Sequence, residues 1–240
     1  MSIRDKLISG PLGFGAAPLG NMFRNIPEAE AAATVDAAWQ QGIRYFDTAP
    51  LYGAGLSEMR LGRALAKHKR DEYVLSSKVG RLILDEVESG PRHLGEKGNL
   101  FEFGRPNRMV YDYSADGTLR SIEGSLKRLG VDRLDFVWIH DLSCDFHGDE
   151  WLARFETART GAFRALTQLR ERGVIKVWGL GVNTVEPDDG GRLFVHGRGT
   201  RRTRRFQPIY RFRCPPAPPR NSAGRDAGKA RYRIVPDTDF

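Results

Sequence analysis

The chain has 240 residues, 28% charged and 40% hydrophobic, the balance of a globular protein with one large domain or two small ones. Two cysteines, Cys144 and Cys214, exclude a disulfide-dense scaffold; no apolar run reaches the ~18 residues of a membrane span and none opens the chain, so a cytoplasmic protein with no membrane partner is expected. The net charge of +8 lies wholly in the last 53 residues, which hold 12 Arg and 1 Lys against 5 Asp, so the first 187 are balanced and need no polyanionic partner.

Residues 11–17 (PLGFGAA) read as a Gly-rich strand. Residues 27–41 read as a helix: Pro27 suits its first turn, Glu28 and Glu30 suit the positive end of its dipole, and Ala31, Val35, Ala38 and Trp39 form a stripe. Gly42 stops it and the strand IRYFDTA follows. Residues 57–67 read as a second helix with Leu61, Ala64 and Leu65 on one face, and residues 73–79 (YVLSSKV) as a strand. The segment 80–113 carries several Gly and Pro with little periodicity and reads as one long loop, a length that marks function or disorder in a compact domain. Residues 117–129 read as a helix with Leu119, Ile122, Leu126 and Leu129 as its stripe; Gly130 stops it before the strand 134–139. Residues 151–172 read as one helix whose face is Trp151, Phe155, Ala158, Ala162, Leu166 and Leu169. Gly173 stops it, and 174–182 (VIKVWGLGV) is the next strand.

Helix, glycine, strand therefore recurs at Gly42, Gly130 and Gly173, where a left-handed C′ residue turns each helix end back toward a sheet. Strands alternating with helices imply parallel pairing through right-handed crossovers. Five such strands suit a doubly wound sheet or a (β/α)8 TIM barrel. The first strand's GFGAAPLG is not the G-x-G-x-x-G of a dinucleotide fold, so the α/β barrel is preferred.

After residue 187 the pattern collapses. Only 9 of the last 53 residues are Leu, Ile, Val or Phe, and six of the 13 prolines lie there, including PPAPP at 215–219. Residues 1–187 thus read as the folded body and 188–240 as a basic Arg/Pro/Gly-rich tail. The tail is either disordered or the product of a shifted reading frame in a GC-rich gene; the second is the sharper reading.

Barrel active sites form at the C-terminal ends of the strands. The second strand ends in Asp47, with Tyr52 close behind in DTAPLYG; the third ends in Lys78, the fourth in His140 and the fifth in Asn183. Singly each has a bland reading: Asp47 as a helix cap, Lys78 as a solvated cation, His140 with Asp141 as a satisfied loop pair, Tyr52 as rim packing. Together they make an acid–base device. A phenol with its ordinary pKa near ~10 exchanges protons poorly at neutral pH, and an adjacent ammonium lowers that value. A carboxylate holds the ammonium, and an imidazole orients a carbonyl oxygen. Such a set suits proton transfer at a carbonyl or hydroxyl, with hydride exchange left to a cofactor.

Other candidates carry less. Cys144 and His147 have metal-like spacing without a second ligand pair, so no metal is expected. His140 and Asp141 lack the G-x-S-x-G of a hydrolase. Trp138 and Trp178 read as core rather than as a stacking platform. Arg201–Arg205 could meet phosphates, yet has no folded frame around it, so no specific nucleic-acid partner is expected.

PLGFGAAPLGN (11–21), GIRYFDTAPLYG (42–53), SEMRLGRAL (57–65), LSSKVGR (75–81), SIEGSLKRLGVDRLD (121–135), VWIHD (137–141) and IKVWGLGVN (175–183) together resemble the aldo-keto reductases. The likeness runs over residues 7–187. It is greatest to the aldose-oxidising branch, which holds D-threo-aldose (L-fucose), L-galactose and pyridoxal 4-dehydrogenases. It implies a TIM barrel using NAD or NADP on a small sugar or aldehyde. It implies Tyr52 as general acid/base, Lys78 as the cation that lowers its pKa, Asp47 as the partner of Lys78, and His140 as the group orienting the substrate oxygen. Asn183 would bond the nicotinamide carboxamide, and Gly15 would lie against the cofactor. The likeness stops after the fifth strand, and residues 188–240 match none of the family's last three strands, which carry much of the cofactor pocket. A barrel left open in this way is expected to be poorly stable, aggregation-prone and inactive by itself.

Overall fold

The computed structural model describes residues 12–87, 100–101 and 103–183. The expectations for the tail at 188–240, and for the arginine cluster within it, lie outside the described residues.

The strands are β1 (Phe14–Gly15), β2 (Tyr45–Asp47), β3 (Val74–Val87), β4 (Asn107–Asp112), β5 (Phe136–His140) and β6 (Val177–Gly181). The helices are α1 (Glu28–Gln40), α2 (Leu56–Leu65), α3 (Ala115–Leu129), a single turn α4 (Cys144–His147), α5 (Trp151–Thr160) and α6 (Ala162–Glu171). The sheet order is β1-β2-β3-β5-β6, parallel throughout, with β4 antiparallel on the far end of β3. The parallel strands succeed one another in chain order with no reversal. A doubly wound sheet reverses at its switch point, so this is the sheet of a TIM barrel through its fifth parallel strand.

The helix–glycine–strand junctions form as expected: Gly42, Gly130 and Gly173 have φ of 85°, 67° and 76°. The core lies between the sheet and the helices. Phe46, Leu75, Val79, Val137, Ile139 and Trp178 from the strands meet Val35, Leu61, Leu65, Ile122, Leu166 and Leu169 from the helices. Trp178 packs on Phe163 at 5.0 Å between ring centroids, whereas Trp138 lies against Phe136 at 6.0 Å. Among the described residues no helix is long and apolar enough to cross a membrane.

Three expectations need correction. The segment 80–113 is not one long loop: β3 runs on to Val87 and pairs back with β4, making a hairpin that rises from the barrel rim. The helix expected over 151–172 is two helices broken at Gly161. A side chain there would meet the backbone of Tyr113–Ala115 at 2.8–2.9 Å, and the Ala162 amide donates to the Tyr113 carbonyl. The start of α3 therefore lies where a continuous helix would run. Finally, Leu119 is exposed: α3 buries Ile122 and Leu129 as expected, with Leu126 half-buried, and completes that face with the small residues Gly117, Thr118, Ser121 and Ser125, which let it sit close to its neighbours.

Below the strands, Asp135 gathers three donors. Its carboxylate receives Arg70 Nη2 and Lys176 Nζ at 2.6 Å each and the Leu75 amide at 2.9 Å, tying the starts of β3, β5 and β6. Burial alone would raise its pKa, but the bonds from Lys176 and Arg70 outweigh it and the carboxyl sits below its ordinary range. A depressed native pKa gives stability that is present above the unfolded pKa near ~4 and is lost as pH falls through the native value. Asp135→Asn is expected to lower unfolding stability in urea by about 3 kcal/mol at neutral pH and to flatten that acid limb. An unchanged midpoint at both pH values would refute the clamp.

Candidate active site

The parallel register places Asp47 beside Ser76, and Lys78 beside Trp138, two residues before His140. Side chains alternate along a strand, so Asp47, Ser76, Lys78 and His140 share the face away from the helices, toward the barrel axis. Lys78 Nζ donates to Asp47 Oδ2 at 2.5 Å and to the Thr48 carbonyl at 2.9 Å, and the Ser76 hydroxyl donates to the other Asp47 oxygen. Lys78 and Asp47 are 1% and 5% exposed. A pair this buried persists only because both charges are hydrogen-bonded as well as paired.

Tyr52 lies in the loop after β2. The Lys78 ammonium stands 4.9 Å from the centroid of its ring, and the His140 ring meets it edge-on at 5.9 Å. Four residues from three neighbouring parallel strands and one loop are thus brought into one buried group, with Asp47 and His140 at their strand ends and Lys78 within β3 rather than at its end. The loop is held by backbone contact. Gly53 has φ of 68° and lies so close to Gly20 that a side chain on either would strike the other's segment. Gly53's carbonyl also accepts from the Arg105 amide at 3.0 Å, which joins the Tyr52 loop to the segment just before β4.

His140 is buried, and burial, together with the nearby Arg81 and Lys78 charges, pushes its pKa well below the ordinary value. It is a neutral imidazole at physiological pH, able to donate one hydrogen bond without changing charge.

The remaining expected residues stand apart from this group. Asn183, beyond β6, is exposed and donates to Asp145 Oδ2 at 3.4 Å. Gly15 pairs in register with Asp47 and leaves open space where a side chain would stand. His147 shares a hydrogen bond with Tyr113 Oη at 2.9 Å, and no group of His, Cys, Asp or Glu among the described residues could hold a metal ion. Gly15 thus leaves room for a ligand beside Asp47, whereas Asn183 stands exposed at the rim.

Sequence reasoning missed the supports. Ser77 Oγ donates to Glu58 Oε1 at 2.7 Å and Arg128 Nε to Glu58 Oε2 at 2.6 Å, so a fully buried carboxylate on α2 locks the strand position next to Lys78. One signal was present: Glu58 shares a helix face with Leu61 and Leu65, where an acidic residue must find a buried partner. Ser57 likewise donates to the Ala16 carbonyl at 2.6 Å, fixing α2 against the turn after β1.

The sequence profile of the Aldo/keto reductase family matches residues 11–187. The chain belongs to that family. It is 42% identical to pyridoxal 4-dehydrogenase of Microbacterium luteolum over 75% of its own length and 54% of the relative's. It is 43% identical to D-threo-aldose 1-dehydrogenase of a Pseudomonas species over 79% of its length and 57% of the relative's. A solved structure assigned as an aldo-keto reductase from Pseudomonas aeruginosa superposes with a TM-score of 0.51 at 32% identity, over 72% of this chain and 55% of that one. The chain therefore spans little more than half the length of the curated relatives it matches. Its five parallel strands are the first part of an aldo-keto reductase barrel.

Proposed function

We propose that the chain carries the acid–base half of an NAD(P)-dependent oxidoreductase site that oxidises an aldose at C1 to a lactone or, with NAD(P)H, reduces an aldehyde to an alcohol. The observation that supports this most is the Lys78 ammonium, bonded to Asp47 and set against the Tyr52 ring, with neutral His140 edge-on to the same ring. In the oxidising direction Tyr52 Oη takes the proton of the C1 hydroxyl, and the Lys78 charge favours the phenolate that accepts it. Asp47 keeps Lys78 charged and in place. His140 donates to the substrate oxygen and turns it toward Tyr52, and its neutrality lets it do so without competing for the proton. A bound NAD(P)+ supplies the acceptor for the hydride. Asn183 and the open space at Gly15 are the contacts offered to the nicotinamide. The similarity to aldose and pyridoxal dehydrogenases directs the substrate choice toward aldoses or an aromatic aldehyde alcohol.

A second reading has its own observation. Among the described residues β1 and β6 are sheet edges, and five parallel strands do not close a barrel. On that reading the chain by itself is a non-catalytic fragment, poorly stable and acting only through association, with residues 188–240 either a true extension or a shifted frame. Purified chain assayed with NAD+ or NADP+ against a panel of aldoses and pyridoxal decides between them. Lactone formation by a stable monomer supports turnover by this chain. Aggregation with no dinucleotide reduction supports the fragment reading, and sequencing the coding DNA across codons 180–195 then tests the frame.

A further inference from the structure

One residue next to the site is strained without an evident packing reason. Asp141 directly follows His140 and has φ of 52°, a left-handed conformation that costs a non-glycine residue about 1 kcal/mol. Such strain persists where the surroundings over-determine it, and it clusters at functional positions. Here the surroundings are specific. Asp141 is 3% exposed and its Oδ2 accepts from Arg81 Nη1 at 2.5 Å. Arg81 is also buried; its other Nη2 donates to Tyr111 Oη at 2.8 Å, and its guanidinium lies 4.6 Å from the Tyr111 ring centroid. Tyr113 Oη donates to the carbonyl of His140 itself at 2.9 Å. Arg81 and Tyr111 belong to the two strands of the hairpin, facing each other in register, and Tyr113 comes directly after the second strand.

We propose that Arg81 and Asp141 are a positioning pair for His140, holding the turn after β5 so that the imidazole stays edge-on to Tyr52 and tying that turn to the β3–β4 hairpin. Resting on the acid–base reading of the site, it explains why a buried ion pair with a strained backbone sits one residue from the imidazole. The forked guanidinium matters because its two separate nitrogens bond Asp141 and Tyr111 at once, a span a single ammonium nitrogen does not offer. The pair also sets the field at His140. The groups facing that ring are Tyr52 from the β2 loop, Lys78 and Arg81 from β3, Asp141 with its Oδ1 at 3.6 Å from Nε2, and, through Tyr113, His147 of α4. The Arg81 charge opposes that of Asp141 at His140 and adds to the burial that keeps the imidazole neutral.

The test is proton NMR of the histidine ring in the full chain, with the titration midpoint of His140 and its ring-to-ring NOE to Tyr52 as readouts. In the parent the midpoint is expected well below ~6.5 with the NOE present. Arg81→Gln leaves the Asp141 carboxylate beside the ring and is expected to raise the midpoint by about one pH unit while weakening the NOE. Asp141→Asn leaves the Arg81 charge and is expected to lower the midpoint further, again with a weaker NOE. Unfolding moves both variants up toward ~6.5, so a fall in Asp141→Asn cannot come from lost structure. A parent His140 titrating near ~6.5, variants that share one direction, or an NOE unchanged in both would overturn the proposal. Turnover is not among the readouts. A chain that reduces no dinucleotide yet shows these shifts counts against the oxidoreductase reading alone.

Discussion

Replacing Asp47 by Ala is expected to cost about 3–5 kcal/mol of unfolding stability. The reason is the position of Lys78. Its side chain is 1% exposed, and Asp47 is the carboxylate it bonds, at 2.5 Å. In the variant Lys78 keeps the Thr48 carbonyl but loses the Asp47 charge, and Ser76 is left with the Tyr45 hydroxyl in place of the carboxylate. A domain with a total stability of about 5–15 kcal/mol would lose much of it to that change. The paired substitution Asp47→Leu with Lys78→Met removes both charges together and is expected to regain most of the loss, since a buried pair is often no better than an apolar isostere. Urea unfolding of the double variant, of Asp47→Leu alone and of Lys78→Met alone completes the cycle. A neutral Asp47→Ala, or a double variant as unstable as the single, would show that the pair is not the support its geometry implies.

Completing the barrel is expected to restore turnover, and Tyr52→Phe is then expected to lower kcat by about a thousandfold. The chain spans 57% of the Pseudomonas D-threo-aldose 1-dehydrogenase it matches, so a fusion joined after residue 183 can take its remaining strands from the C-terminal segment of that relative. Dinucleotide reduction with an aldose should appear in the fusion at a rate far above that of the chain alone. Tyr52→Phe keeps the ring against Lys78 and His140 and removes only the hydroxyl that exchanges the proton. The fall should therefore be in kcat, with KM little changed. A fusion in which Tyr52→Phe keeps full activity would remove Tyr52 from the role of acid and base.

Local residues carried much of this structure. Each helix that ends in glycine before a strand does so because only a left-handed residue turns the chain back at that place, and Gly42, Gly130 and Gly173 all adopt it. The buried face of Ala158, Ala162, Leu166 and Leu169 was legible even though the helix bearing it is broken, because the apolar spacing continues across Gly161. The break itself was not legible, since it depends on where the start of α3 passes. The hairpin left a faint trace in the alternation of Met109, Tyr111 and Tyr113, obscured by the glycines and prolines around it.

The sequence by itself determined the strand-to-helix alternation, the parallel sheet and the strand-end positions of Asp47 and His140, because periodicity and turn chemistry act over a few residues. It also places Lys78 on the right strand, but the residue lies within that strand, since β3 continues to Val87. Only the tertiary structure decided which groups meet. Glu58 with Arg128 and Arg81 with Asp141 are pairs 70 and 60 residues apart in the chain. No local spacing encodes such a meeting: it comes from the order in which parallel strands stack and from the close approach of helices at small side chains. A buried charge is stable only where that packing delivers its counter-charge.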